Sequence, residues 1–331
     1  MEEATAAPHV EAFTFGEPTP VLDQRELGAF FHSAWNGRFF EPPVSLDGLA
    51  KLLPSNPHHQ SAIAVKLNIL SSCFRPTKLL SRQVFKRMAL DYLVFGNGYP
   101  VLRRNRIGGM FGLDALPGRW TRCSRDGRFL LLADGEEQPV EGEVCHLMEP
   151  DISQEVYGMP GYTAAIQSAL LAEAATLFRR KYYVNGSHAG FILYMTDPAQ
   201  NQQDIDQLRK AMRESKGPGN FKNLFMYAPN GKADGLKVIP IAEVAAKDEF
   251  LSLKNVSRDD VLAAHRVPPQ LMGIIPNNTG GFGDVDKAAR VFATNELAPL
   301  MATFEDINAW LGEEAVRFEP YGVGADAANA S

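Results

Sequence analysis

The chain has 331 residues, a formal net charge of −6 and an apolar share of 45%. The length suits one large domain or two to three smaller ones, and the apolar share supports a sizeable core. The acidic balance excludes a protein that wraps nucleic acid in basic surface, while permitting one that lets DNA pass without holding it. Cys73, Cys123 and Cys145 are odd in number and lack metal-ligand spacing, which points to a reducing compartment and to small core residues. Met1-Glu2-Glu3 is acidic where a secretory signal begins basic, and no apolar run reaches the roughly 18 residues of a membrane span. The expectation is a cytoplasmic protein with no membrane partner.

Residues 1–34 are rich in Ala, Pro and Thr and read as a flexible N-terminal arm. Asn56-Pro57 opens a helix whose apolar positions Ile63, Val65, Leu67, Ile69 and Leu70 leave little exposed face. Ser81 is an N-cap for a second helix through Phe85, Met88, Tyr92 and Phe95, stopped by Gly96-Asn97-Gly98. Short apolar runs at 99–103, 113–116, 128–132 and 144–148, separated by Gly, Pro and Asp, predict short antiparallel strands. An α+β domain over about 40–155 results.

Residues 162–184 contain no Gly or Pro, are rich in Ala, and end in Arg179-Arg180-Lys181 before the Asn185-Gly186 stop. This predicts a helix roughly 35 Å long. A compact β-α-β-β insert follows at 187–241, with strands at 189–195, 223–227 and 236–239 and a helix near 201–214. Another helix covers about 243–265. Pro268-Pro269 stops it, an apolar hook follows through Leu271, Met272 and Ile274, and then comes a polar, glycine-rich loop at 276–283. A long amphipathic helix is expected over 284–311, kinked at Pro299 because proline removes a hydrogen bond and clashes with the preceding turn. Its apolar stripe includes Val285, Phe292, Leu297 and Phe304. The opposite face shows Asp286, Lys287, Arg290, Asn295 and Glu296, either as a solvated face or with Lys287 and Arg290 near a polyanion. The tail after 319 is small and polar and is expected to be disordered.

No catalytic constellation stands out. His58-His59 lack further ligands at metal spacing, so no metal is expected. His146 reads as a satisfied packing histidine. His265, near a helix end, is accounted for by the helix dipole. Thr279-Gly280-Gly281-Phe282-Gly283 superficially resembles a phosphate cradle, but it lacks a preceding strand and the Lys-Ser/Thr that hold a nucleotide and magnesium, so no cofactor is expected. An ordinary surface loop and a mobile loop touching phosphates weakly both remain open. The insert gathers Arg209, Lys210, Arg213, Lys216 and Lys222, either as a solvated face or as a docking surface for an acidic partner or entering DNA.

Five stretches together carry a resemblance: Asp91 to Tyr99 (DYLVFGNGY), Val156 to Pro160 (VYGMP), Phe178 to Gly186 (FRRKYYVNG), Phe250 to Asn255 running on to Asp260, and His265 to Gly273 (HRVPPQLMG). In this order and spacing the chain resembles tailed-bacteriophage portal proteins of the PBSX or P2-like kind, over about 35–315. The resemblance implies an α+β portal fold. A wing would comprise 35–160 and 266–318, stem helices 161–186 and 243–265, and a clip 187–242. It implies a homo-oligomeric ring, usually a dodecamer, at one capsid vertex, through which double-stranded DNA is packaged and ejected without sequence specificity. The implied partners are the large terminase subunit, head–tail connector proteins, and major capsid and scaffold proteins. The implied locations are the virion and, during assembly, the host cytoplasm. Asn277, Asn278, Thr279, Gly280, Gly281, Phe282 and Gly283, with Lys287 and Arg290, would form the channel loop. Arg209, Lys210, Arg213, Lys216 and Lys222 would dock terminase and connector. No enzymatic role is implied, the chemistry residing in a separate terminase. The alternative is another phage head–tail adaptor or connector ring protein.

Overall fold

The computed structural model describes residues 11–13, 33–133, 136–184, 191–195, 224–227, 236–240, 246–274 and 284–322. The chain divides into two compact units. One comprises 1–21 and 172–256, the other 22–171 and 257–331. Helices α4 (Ile166–Val184) and α5 (Ala246–Ala264) each run across the division in sequence.

The first unit contains a four-stranded sheet of β1 (Glu11–Phe13), β9 (Phe191–Met195), β10 (Leu224–Tyr227) and β11 (Leu236–Pro240), in the order β1-β10-β9-β11. β10 runs parallel to β9, with Leu224 opposite Ile192, whereas β11 pairs antiparallel to it. Parallel neighbours require a crossover connection, which the interval 196–223 supplies. The helix expected within that interval lies outside the described residues. β1 pairs antiparallel with β10, Ala12 opposite Met226. Within the span read as a flexible N-terminal arm, 1–34, Glu11–Phe13 forms a sheet-edge strand. The Ala/Pro/Thr composition hid a three-residue strand whose order comes from the sheet edge and not from its own propensity.

In the second unit, three helices lead into short strands. α1 (Leu46–Ser55) is capped by Ser45, whose hydroxyl accepts from the Gly48 amide at 3.0 Å. α2 (Pro57–Cys73) begins with Pro at its first position, and buried Asn56 accepts from the His58 and His59 amides. α3 (Arg82–Phe95) is capped by Ser81 and ends at Gly96 with φ +70°. The two-stranded pair β2 (Asn97–Gly98) and β8 (Leu147–Met148), the hairpin β3 (Pro100–Arg104) and β4 (Met110–Ala115), and the meander β5 (Thr121–Cys123), β6 (Phe129–Ala133) and β7 (Glu136–Pro139) are all antiparallel, as their Gly/Pro/Asp punctuation predicts. The core is aromatic: Phe74 stacks on Phe85 at 4.2 Å, and Phe85 meets Phe304 edge-on at 5.3 Å. Cys73 and Cys123 are buried and Cys145 is half-buried, all as free thiols.

Two stretches singled out in the sequence meet here. The Asn97 amide group donates to the Phe95 and Gly158 carbonyls, and its oxygen accepts from the Gly158 amide at 2.8 Å. The Gly96 carbonyl accepts from the Glu149 amide. A Cβ on Gly158 would lie 2.1 Å from the Gly96 carbonyl oxygen, so only glycine fits. Gly158→Ala should cost more than about 3 kcal/mol, because the obstacle is backbone and cannot swing aside. Urea denaturation checks it, and an unchanged midpoint would contradict this packing.

Candidate functional site: the anchor of the 275–283 loop

The loop expected to be functional, Asn277 to Gly283, lies outside the described residues, but both of its flanks are described. On the upstream flank, α5 ends in a Schellman arrangement: the Arg266 amide bonds the Ala263 carbonyl and the Val267 amide bonds the Leu262 carbonyl. The position that usually holds glycine is Arg266, with φ +55°, the one positive-φ non-glycine among the described residues. An L-residue held there costs roughly 1 kcal/mol or more. Pro268 and Pro269 bar further helix, and a 3₁₀ turn, Pro269–Met272, delivers the hook. Leu271, Met272 and Ile274 then pack against buried Ala62, Leu262, Val267, Phe292 and Leu297.

On the downstream flank the expected single helix is divided. α6 (Val285–Phe292) is capped by Asp284, a π-helical turn covers Ala293–Leu297, and α7 (Ala298–Leu311) follows. Pro299 stands in the first turn of α7, where its missing N–H is harmless. In an unbroken α-helix its ring would strike the Asn295 carbonyl, and the wider turn just upstream relieves that clash. The wide turn also brings Glu296 and Leu297 together on the buried side. Assigning Glu296 to a solvated face is therefore incorrect. Its charge suggested water, but it lies four residues beyond Phe292, on the buried stripe. Val285, placed on the core stripe by the sequence reading, is in fact exposed.

The buried Glu296 carboxylate ties the flanks together. One oxygen accepts from the Lys66 ammonium on α2, and the other accepts from Arg266 Nη1 at 3.0 Å. Lys66 and Glu296 side chains are only 8% and 5% exposed, so this is an ion pair withdrawn from water. Burial pushes Lys66 below the usual lysine range and Glu296 pulls it back. The hydrogen bond from Arg266 to Glu296 raises the Arg266 pKa. A buried pair of this kind adds little net stability, because desolvation offsets attraction, but losing one partner strands the other.

Beside it, His59 Nδ1 and His265 Nε2 lie 2.7 Å apart, and Tyr162 stacks on His265 at 5.1 Å. Burial lowers His59 to about 4, and burial, with His59 and then the Lys66 ammonium disfavouring a second positive charge beside them, lowers His265 to about 2. Both rings are neutral at neutral pH, one donating and the other accepting. The helix-dipole account of His265 therefore fails, since an uncharged ring offers the dipole no cation. The Tyr162 hydroxyl donates to the Val94 carbonyl, fastening the start of α4 to the end of α3. A cleft of about 420 Å³ opens next to these groups, lined by Lys66, Tyr92, Glu149, Arg266, Glu296 and Asp306 among others.

The other expected residues separate into two groups. Lys287 and Arg290 lie a turn apart on the exposed side of α6, with Lys287 Nζ 2.9 Å from the Asp284 carboxylate. Arg209, Lys210, Arg213, Lys216 and Lys222 lie outside the described residues. A Cys123–His146–Asn97 alignment, 3.9 and 2.9 Å apart, was not visible in the sequence. It holds no nucleophile: burial pushes the Cys123 thiol up to about 12 and His146 down to about 4, so thiolate and imidazolium are both absent at neutral pH. Among the described residues no group of three or more His, Cys, Asp or Glu could hold a metal. No described helix is long and apolar enough to cross a membrane.

Known proteins place this geometry. A family model described as phage portal protein matches residues 64–325. The chain is 50% identical over 324 residues to a probable portal protein of Escherichia phage P2, covering 97% of this chain and 94% of that one. It is 38% identical over 298 residues to a probable portal protein of Haemophilus phage HP1, covering 87% and 85%. The crystal structure of an HK97 family phage portal protein from Corynebacterium diphtheriae shares the fold at TM-score 0.59 and 18% identity, covering 85% of this chain and 96% of that one. A chain in the neck of a native gene transfer agent particle, computed with C12 symmetry, shares it at TM-score 0.61 and 16% identity, covering 93% and 92%. The mixed helix-and-strand architecture is thus that of a structural protein of phage particles. The chain belongs to the phage portal protein family.

Two outcomes test the anchor. Glu296→Ala should cost about 3–5 kcal/mol by stranding the Lys66 ammonium, whereas Lys66→Met with Glu296→Leu should recover most of that loss. Additive urea-unfolding losses would contradict the buried pairing. The depressed histidines set a pH dependence. Their folded pKa values lie below the ordinary 6.5, so the unfolded chain takes up protons first on acidification. Stability is full above pH 6.5 and falls toward pH 4, by up to about 1.4 kcal/mol per pH unit for each histidine. Asp91, raised by burial to about 6, works in the opposite direction between about 6 and its ordinary 3.8, and Glu173, also raised by burial, adds to it. Denaturation midpoints at pH 7 and pH 5 check this, and equal stability would contradict it.

Proposed function

We propose that this chain assembles into a closed homo-oligomeric ring, a dodecamer, at one capsid vertex, and that double-stranded DNA is packaged and ejected through its bore. The observation that carries the reading is the anchored loop in a chain of the portal family: both flanks of 275–283 are held by one apolar cluster and one buried carboxylate. A segment that meets a moving polyanion needs a rigid base, so that load on the loop is not passed into the fold. The acidic net charge of −6 suits a bore that must not retain phosphates.

In this reading 35–160 and 266–318 form the wing, 161–186 and 243–265 the stem, and 187–242 the clip. Asn277 to Gly283 line the channel, with Lys287 and Arg290 at its edge. Arg209, Lys210, Arg213, Lys216 and Lys222 form the clip surface that docks the large terminase subunit and later the head–tail connector. Capsid and scaffold proteins contact the ring at the vertex. The protein resides in the virion, and in the host cytoplasm during assembly. It performs no catalysis of its own.

Electron micrographs of the purified protein should show closed rings, and only monomers at micromolar concentration and moderate salt would contradict the reading. Deleting Asn278 to Gly281 should leave ring assembly intact and impair DNA packaging or retention; normal packaging by that variant removes the loop's role. Reversing charge at Arg209, Lys210 and Arg213 should weaken terminase capture in a pull-down, and unchanged capture removes the clip surface.

A further inference from the structure

The β3–β4 hairpin has a tip unlike an ordinary surface turn. Every residue from Arg103 to Phe111 is exposed, and three of them are large and apolar: Ile107 is 92% exposed, Phe111 74% and Met110 37%. Exposed turns ordinarily carry small polar residues, and clustered apolar side chains on a projecting element mark a contact surface. The tip is also rigid. The Asn105 side-chain oxygen accepts from the Ile107 and Gly109 amides, Arg104 donates to the Gly108 carbonyl, and Gly108 takes the positive φ the turn requires. Arginines 103, 104 and 106 surround it, only partly offset by Asp114 and Glu143. The surface is apolar at its centre and basic at its rim, and it is pre-organised.

A complementary surface exists on the same unit. The cleft beside the loop anchor is lined by three carboxylates, Glu149, Glu296 and Asp306, against two cations, Lys66 and Arg266, which are both paired with Glu296, and exposed Met148 is also in its lining. The adjoining segment adds fully exposed Ile152 and the carboxylates Asp151 and Glu155. The two surfaces lie toward opposite ends of α3. Gln83, Val84 and Arg87, at its start, line a depression shared with hairpin residues Arg103 and Phe111, whereas Tyr92 and Leu93, near its end, line the cleft. The paired strands carry the tip roughly 13 Å farther from the hairpin base. Two different patches that complement each other define a head-to-tail contact, which closes into a ring when the rotation allows.

We propose that the β3–β4 tip of one copy seats in the acidic cleft of the next, with Ile107 and Phe111 against Met148 and Ile152 and the tip arginines facing Glu149, Asp151 and Asp306. The inference rests on the ring reading above and specifies which surfaces build that ring. Acidic apolar surfaces of other proteins are the competing occupants, and the experiment separates them.

The test is a disulfide cross-link in the full chain, with Ile107→Cys and Ile152→Cys together. Oxidation should give a ladder of covalent multimers on a non-reducing gel, and neither single variant should. Independently, Ile107→Asp should raise the concentration needed for ring assembly by roughly tenfold or more while leaving the melting temperature of the unassembled chain unchanged, since the side chain contacts water in the monomer. Wild-type rings with no ladder, or Ile107→Asp rings that assemble at the wild-type concentration, overturn this interface and leave the ring reading standing. A wild-type chain that stays monomeric overturns both.

Discussion

The carboxylate of Glu296 is the point on which the loop-bearing part of the molecule depends. It is buried, accepts from Lys66 on α2 and from Arg266 at the end of α5, and sits in a wide helical turn that presents it to both. Three chain segments far apart in sequence therefore share one charge. Removing such a group from water is costly, and hydrophobic replacements of equal volume would match or exceed its stability. What the ion pair supplies is position. A methyl group can slide along an apolar surface, but a carboxylate bound to two cations has one register.

The strain at Arg266 has the same origin. A helix ending of this type favours glycine, and the left-handed arginine that stands there instead donates to Glu296. The π-helical turn is the matching distortion on the other flank. Both irregularities sit at the borders of the one loop to which the family resemblance assigns contact with DNA. Regular geometry has been given up where the chain must place one polar group inside an apolar cluster, and the Leu271–Ile274 hook and Phe292 seal that cluster against water.

Much of the scaffold could be read from local chemistry. Asn56, Ser81 and Gly96 mark helix ends through caps that need only neighbouring residues, and the caps are in place. The strands at 191–195, 224–227 and 236–240 lie where their apolar runs predicted. The anchor was less visible. Lys66 and Glu296 are separated by 230 positions, and nothing local indicates that two charged residues will be buried together. The His59–His265 pair is hidden in the same way, across 206 positions. The division of the last helix had a visible cause in Pro299, but proline indicates an interruption without specifying a π-helical turn. The double proline and the apolar hook are visible in the sequence as a helix stop and an apolar run. What is not visible there is the carboxylate that fastens them.

Hydrogen–deuterium exchange on Glu296→Gln addresses the shared anchor most directly. The amide keeps the size of the side chain and removes its charge. If one carboxylate holds both flanks, amides of 262–274 and of 285–297 should lose protection together, while the aromatic core around Phe74 and Phe85 stays protected. Faster exchange confined to 285–297, with 262–274 unchanged, would contradict it.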